Sequence, residues 1–120
     1  MSGVHKITHK GKEILFIDYN GTTDDNEMII ILKKAQQIII QENKEYLQLV
    51  DMSNAHATSK YMKEAKLVAT ETPKLAIKRA IVGITPIKKV ILTGYNFIIG
   101  GIGLKPFDNL EEAKDYLVQD

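Results

Sequence analysis

Four polar residues in one short stretch, Asp51, Ser53, His56 and Ser59, have the side-chain types of a hydrolytic triad. A serine nucleophile needs a base within hydrogen-bonding reach and an oxyanion hole, which many hydrolases build on a strained Gly-x-Ser-x-Gly turn. The sequence has no such motif. Polar residues between a strand and a helix more often form turns and caps. Hydrolysis by the loop from Asp51 to His56 is therefore the weakest hypothesis, and we expect a protein that is not an enzyme.

Two histidines raise the question of a metal site. His5 and His9 lie four residues apart in a predicted strand, which places both on one face. A third ligand is not near them in the sequence, so we expect exposed polar positions and no metal. The chain has no cysteine, which excludes disulfides, thiolate nucleophiles and zinc–sulfur sites. The glycine-rich segments do not have phosphate-loop spacing, and we expect no cofactor.

Asp51 ends a predicted strand and Lys105-Pro106 lies near the last one, an arrangement that resembles response-regulator receiver domains. In that family a strand-end aspartate is phosphorylated, and an acidic pair after the first strand helps to hold magnesium through its oxygens. Asp18 is followed by Tyr19 instead of a second acid. The pattern therefore does not favour a receiver domain.

Length and charge limit the remaining classes. The chain has 120 residues, 44% of them apolar, with 16 basic and 15 acidic side chains and a formal net charge of +1. We expect one domain over residues 1–120, with no electrostatic case for nucleic acid. The longest uncharged run, 90–104, contains four glycines and is shorter than the ~20 residues of a spanning helix. We expect no integral membrane segment and, since no apolar leader opens the sequence, a cytoplasmic location.

The apolar pattern predicts the element order ββαβαβαβα. Strands are predicted over 4–9, 13–19, 46–52, 79–84 and 102–107, the last an edge strand because it contains Pro106. Helices are predicted to begin at Asp24, at Thr58 or Ser59, at Pro86, and after Asp108 or Asn109. An N-terminal hairpin followed by alternating helices and strands indicates a mixed, mostly parallel α/β sheet with right-handed crossovers.

The helix predicted from Pro86 to the residue before Gly100, called the apolar helix below, has more apolar surface than packing on a sheet needs. Its apolar positions cover roughly 220° of the helix circumference, against ~100° or somewhat more for a helix on a sheet. These positions are Ile87, Val90, Ile91, Leu92, Gly94, Tyr95, Phe97, Ile98 and Ile99, interrupted by Lys88. The first helix has a similar excess in Ile29, Ile30 and Ile40. Deep burial is one explanation; a dimer face, an apolar ligand pocket and a membrane-surface contact are the functional ones.

Four segments, in order, are similar to a known family: GKEILFIDYNG, LQLVDMSNA, KRAIVGITPIKKVIL and LKPFDNLEEAKDYL. Together they resemble the SpoIIAA-like branch of STAS domains, which is built on the fold of the sporulation anti-sigma-factor antagonists. The resemblance implies a mixed sheet with helices packed on it, a fold that is also similar to CRAL-TRIO lipid-binding domains. The antagonists carry an Asp-Ser-Ser-Gly-like motif at the second helix, whose serine is phosphorylated. Here the corresponding residues read Ala-Thr-Ser-Lys, so Thr58 and Ser59 are alternative phosphosites or simply helix caps.

Three functional hypotheses follow. The favoured one is a non-catalytic STAS-like binding or regulatory module that uses the apolar helix for self-association or for a protein partner. The alternative, suggested by the CRAL-TRIO resemblance, is a carrier of a small apolar or lipid-like ligand. The third is a hydrolase that uses the loop from Asp51 to His56. For the first two, the expected ligand or interface residues are Ile91, Leu92, Tyr95, Ile98 and Ile99.

Overall fold

The computed structural model describes residues 3–56, 58–71, 76–84 and 103–119. Its sheet has five strands in the order β1-β2-β3-β4-β5. They are β1 (Gly3–His9), β2 (Lys12–Asp18), β3 (Tyr46–Asp51), β4 (Ala76–Val82) and β5 (Lys105–Phe107). β1 pairs antiparallel with β2, and each later neighbour pair is parallel. This is the mixed α/β sheet with an N-terminal hairpin that the sequence predicts.

Three helices are described: α1 (Asp25–Glu42), α2 (Ser59–Glu71) and, at the C-terminus, α3 (Leu110–Val118). Local signals place their ends. Asp24 Oδ1 accepts a hydrogen bond from Asn26 N at 2.8 Å at the start of α1, and Asn43 ends that helix at a φ of 49°. Asn109 Oδ1 accepts from Glu112 N at 2.9 Å and caps α3. None of these helices combines the length and apolarity needed to cross a membrane.

The apolar helix predicted from Pro86 lies outside the described residues. The same is true of the five expected ligand or interface residues, Ile91, Leu92, Tyr95, Ile98 and Ile99. Their role therefore stays a prediction.

The strand residues alternate between two cores, one on each face of the sheet. On one face, Leu15, Ile17, Val50 and Ile81 pack with the buried stripes of α1 and α2. On the other face, Ile14, Leu49, Ala80 and Val82 pack with Ala113 and Leu117 of α3. All six residues of β3 are buried, as expected for the central strand of the sheet.

The N-terminal hairpin turns through two residues. Lys10 and Gly11 both have positive φ, 50° and 82°, which is the type I′ geometry that matches the twist of a two-residue hairpin. The pairing then runs without a shift from His9 opposite Lys12 to Gly3 opposite Asp18. β1 therefore remains regular to its first residue.

The strand β4 differs from its prediction. It begins at Ala76, three residues before the predicted start at 79, and ends at Val82, two residues before the predicted end at 84. Lys78 Nζ donates to the carbonyls of Tyr116 and Gln119 at 3.1 and 2.6 Å, so α3 supplies acceptors that the local pattern could not reveal. A register shift leaves Ile77 opposite no residue of β3, which is a β-bulge.

Candidate functional site: the loops at the carboxyl end of the sheet

The carboxyl ends of parallel strands are where open α/β sheets place binding sites. Here β2 and β3 end side by side, with Asp18 and Asp51 as register partners. The loops that follow them, residues 19–24 and 52–56, are called the paired loops. These loops are the candidate functional site, and they include two members of the suggested triad, Ser53 and His56.

The two strand-end aspartates have the same local role. Asp18 Oδ1 accepts from Asn20 N, and Asp51 Oδ1 accepts from Ser53 N, both at 2.9 Å. Their residues are 9% and 5% exposed. An aspartate that accepts from the backbone two residues later stabilises a turn. Both carboxylates therefore help to fix the loop that begins at their own strand.

The paired loops are also bonded to each other. Tyr19 N donates to the Asp51 carbonyl at 2.9 Å, and Gly21 N donates to the Ser53 carbonyl at 3.0 Å. Asn54 Nδ2 donates to Asn20 Oδ1 at 3.3 Å. Backbone and neutral amide groups make all three bonds, so these contacts between the two loops involve no charged side chain.

The end of β4 closes against this surface. Met52 N donates to the Val82 carbonyl at 2.9 Å, and Gly83 follows with a φ of 81°. A Cβ at Gly83 would overlap the backbone of Ser53. Only glycine meets both requirements at this position, the left-handed backbone and the close approach.

Next to the paired loops, side chains join the N-terminal ends of α1 and α2. Thr58 Oγ1 donates to Asp25 Oδ1 and accepts from Tyr61 N at 3.2 Å. Lys60 Nζ donates to Asn26 Oδ1 at 3.2 Å. Thr58 therefore caps α2 and at the same time holds it against α1.

A different kind of site lies at the opposite, amino end of β3. Lys6 Nζ is 2.5 Å from Glu42 Oε2, and Lys44 Nζ is 3.1 Å from Glu13 Oε1 and 4.6 Å from the centre of the Tyr46 ring. The hydrogen bond with Lys6 lowers the pKa of Glu42, and the same bond raises the pKa of Lys6. Burial raises the pKa of the Tyr46 hydroxyl. No sequence signal indicated this cluster, because its members come from three separate stretches of the chain, at residues 6, 13 and 42–46.

The prediction that both histidines of β1 are exposed is wrong for His9. His9 Nε2 lies 2.8 Å from Asp115 Oδ1 of α3, and its side chain is only 18% exposed. Lys10 Nζ lies 2.9 Å from the same carboxylate oxygen. The hydrogen bond with His9, followed by that with Lys10, lowers the pKa of Asp115. His5 is exposed as predicted, with its ring centre 6.3 Å from that of Phe16.

No family model matches the sequence, and no curated protein matches it. Among solved structures, the chain is similar to an uncharacterised protein of the DUF3478 family with a SpoIIAA-like fold from Shewanella loihica PV-4. The TM-score is 0.70, over 98% of this chain and 95% of the other, at 17% identity. This chain has a SpoIIAA-like fold. At that identity the likeness concerns the fold alone.

In the SpoIIAA-like fold of this chain, the two alternative phosphosites have different surroundings. Thr58 is half-buried and its hydroxyl is engaged with Asp25 and Tyr61. Ser59 is the first residue of α2 and is exposed. The sequence left the cap of α2 open between Thr58 and Ser59, and the structure shows that it is Thr58. Phosphorylation of either residue stays a prediction.

Within the described residues of the SpoIIAA-like fold, the members of the suggested triad have separate surroundings. Asp51 is buried and its Oδ1 accepts from the Ser53 backbone. The side chains of His56 and Ser59 are exposed. Within the described ranges, moreover, no three His, Asp or Glu side chains are grouped so that they could hold a metal ion.

Proposed function

We propose that this protein is a non-catalytic binding or regulatory module that contacts its partner through apolar surface. One observation on the described residues supports the proposal: several large apolar side chains are exposed. Ile30 is 66% exposed, Ile40 56%, and Ile77, at the bulge of β4, 53%. A contiguous apolar patch is what marks a protein interface, and the arc predicted for the apolar helix would supply one.

The hydrogen bonds of the paired loops support a binding role instead of a catalytic one. Asp18, Asp51, Asn20 and Asn54 donate to or accept from neighbouring loop atoms. A general base or nucleophile must instead direct its reactive atom towards a substrate. Loops of fixed shape suit recognition of another molecule more than proton transfer.

The apolar helix is the surface that we assign to the partner. Its excess arc, predicted from the sequence, includes Ile91, Leu92, Tyr95, Ile98 and Ile99. Because glycine has no side chain, the glycines at 94, 100 and 101 would permit close approach of a second helix. The partner in this proposal is a second copy of the chain or another protein.

The test uses two variants of the full chain, Leu92→Asp and Ile99→Asp, followed by native mass spectrometry and sedimentation. If the apolar helix binds a partner, both variants lose association and keep the wild-type circular dichroism spectrum and melting temperature. Thr70→Asp is the matched charge control, since Thr70 is an exposed polar residue of α2 outside the exposed apolar side chains. Loss of folding in both apolar-helix variants would show that these side chains belong to the core and would contradict the proposal.

The same mass spectra separate the module from an apolar-ligand carrier. A carrier would retain a reproducible adduct of lipid size on the protein as purified, in a pocket of ~300 Å³ or more. An adduct that disappears in Leu92→Asp and Ile99→Asp, with a monomeric protein throughout, would replace the binding-module proposal with the carrier. Association without an adduct supports the module.

A further inference from the structure

Asn20 and Gly21 are the one asparagine–glycine pair of the sequence, and they lie in the first of the paired loops. Every other asparagine is followed by a residue that has a side chain: Asn26, Asn43, Asn54, Asn96 and Asn109. Both residues of the pair are exposed. Thr22 N donates to the Tyr19 carbonyl at 2.9 Å, and Gly21 has a φ of 78°, as a type II turn requires of its third residue. The pair therefore forms the centre of a tight, exposed turn.

An asparagine–glycine pair has a reaction of its own. The backbone nitrogen of the glycine attacks the side-chain carbonyl carbon of the asparagine. The new C–N bond closes a five-membered succinimide, and the side-chain nitrogen leaves as ammonia with the hydrogen of the backbone N–H. Water then opens either C–N bond of the ring, which gives aspartate or isoaspartate. Glycine favours the attack because it has no Cβ to obstruct it and lets the backbone rotate. The only co-reactant is water, which reaches an exposed turn.

In the folded protein, hydrogen bonds engage the groups that must react. Gly21 N donates its hydrogen to the Ser53 carbonyl of the second loop at 3.0 Å. Asn20 Oδ1 accepts from Asn54 Nδ2 at 3.3 Å, and Asn20 N donates to Asp18 Oδ1 at 2.9 Å. The attack requires that the Gly21 N–H leave Ser53 and that the Asn20 side chain turn towards it. The reaction therefore proceeds from an opened form of the paired loops, and the population of that form determines its rate.

We propose that Asn20 is a site of spontaneous deamidation, through attack by the Gly21 nitrogen, and that the bonds between the paired loops control its rate. Conversion places a carboxylate at residue 20, next to the Asp18 carboxylate that accepts from the backbone N–H of the same residue. Isoaspartate also adds a methylene group to the backbone, which displaces Gly21 N from the Ser53 carbonyl. The modification thus changes both the charge and the shape of the candidate site. It involves no residue of the apolar helix and is independent of the proposed function.

The site is tested by incubating the full chain at mildly alkaline pH, in buffer and in guanidinium chloride, and mapping its peptides by mass spectrometry. Deamidation makes the peptide that contains residue 20 about 1 Da heavier, and chromatography separates isoaspartate from aspartate. We expect Asn20 to convert before the other asparagines, and about tenfold or more faster in the unfolded chain, where the loop bonds are absent. Asn20→Gln is the control for the site, because glutamine would have to close a less favourable six-membered ring.

A matched pair of substitutions tests the role of the loop bonds. Asn54→Ala removes the amide that donates to Asn20 and should raise the rate in buffer about threefold or more, the effect of one neutral hydrogen bond. Gln37→Ala removes an exposed side-chain amide from α1, outside the paired loops, and should leave the rate unchanged. Circular dichroism melting curves verify that both variants fold. In guanidinium chloride both variants and the wild type should react equally, since no contact between the loops remains.

Three results would overturn the proposal. Conversion at Asn20 in guanidinium chloride but not in buffer, even in Asn54→Ala, would show that the folded protein is not modified there. Equal rates in buffer and in guanidinium chloride would show that the folded loops do not restrain the reaction. A wild-type rate in Asn54→Ala would show that the contact between the two loops does not control it. None of these results bears on association through the apolar helix, which Leu92→Asp and Ile99→Asp test separately.

Discussion

The paired loops and the contacts of α3 with the hairpin hold the molecule together by different means. The paired loops are bonded through backbone and amide groups at 2.9–3.3 Å, and one glycine sets their distance from β4. α3 is instead attached to the hairpin at Asp115, where His9 and Lys10 meet one half-exposed carboxylate. Exposed ion pairs contribute little and weaken with salt, whereas buried backbone bonds are costly to break. The carboxyl end of the sheet should therefore be the more rigid region, and α3 the more responsive to conditions.

The largest effect is expected for Gly83→Ala. The new Cβ would overlap the backbone of Ser53, and the φ of 81° is unfavourable for alanine. Both penalties together should reduce the free energy of unfolding by roughly 3 kcal/mol or more. Urea unfolding followed by circular dichroism measures the loss.

Gly11→Ala is the control that separates the two penalties. Gly11 has nearly the same φ, 82°, but a Cβ there would have nothing within 4 Å. It should therefore lose only the conformational part, about 1–2 kcal/mol. Equal losses in the two variants would mean that the approach of β4 to the paired loops contributes nothing beyond backbone conformation.

A smaller effect is expected when the carboxylate acceptor of Asp51 is removed. In Asp51→Ala the backbone N–H of Ser53 loses its partner in a largely buried place, which should cost about 1–3 kcal/mol of unfolding free energy. Asp51→Asn retains a side-chain oxygen and should recover much of the loss. If the asparagine variant were as unstable as the alanine variant, the negative charge and not the hydrogen bond would be what the loop requires.

The sequence was sufficient for features that depend on neighbouring residues. Runs rich in apolar residues located β2 and β3. Short polar side chains located the cap of α1 at Asp24 and limited that of α3 to Asp108 or Asn109, of which Asn109 is the cap. Among the described strands, β5 lies at an edge, as Pro106 indicated. Each of these depends on contacts within a few positions of the chain.

Features that join distant segments could not be predicted in the same way. His9 and Asp115 are 106 positions apart, so nothing in the spacing of the β1 histidines indicated their partner. The predicted start of β4 at residue 79 was three residues late, because Lys78 interrupts the apolar run and the carbonyls that bind it belong to the distant C-terminal segment. The parallel register that places Asp18 beside Asp51 likewise depends on how whole strands pair.

Asp115→Asn is expected to have the smallest effect. It also tests most directly the contrast between the paired loops and the contacts of α3. The pKa of Asp115 is lowered by its bonds with His9 and Lys10, so the folded state binds a proton at this carboxyl less readily than the unfolded chain does. The stabilisation is therefore fully present above the ordinary pKa of the carboxyl and is lost as the pH falls through the lowered value. Wild type should be slightly more stable than Asp115→Asn at neutral pH and equal to it at strongly acidic pH.

Urea unfolding of both proteins across this pH range, at low and high salt, measures the difference. Glu45→Gln, which neutralises an exposed carboxylate outside α3, is the control and should show no comparable pH dependence. High salt should reduce the difference in unfolding free energy between wild type and Asp115→Asn, because salt screens the ion pairs of α3. The loss in Gly83→Ala should not change with salt, because it comes from a steric overlap with Ser53. A salt-independent difference in unfolding free energy for Asp115→Asn would mean that the carboxylate acts through the geometry of its hydrogen bond with His9. Both the paired loops and the contact of α3 with the hairpin would then depend on hydrogen-bond geometry and not on charge.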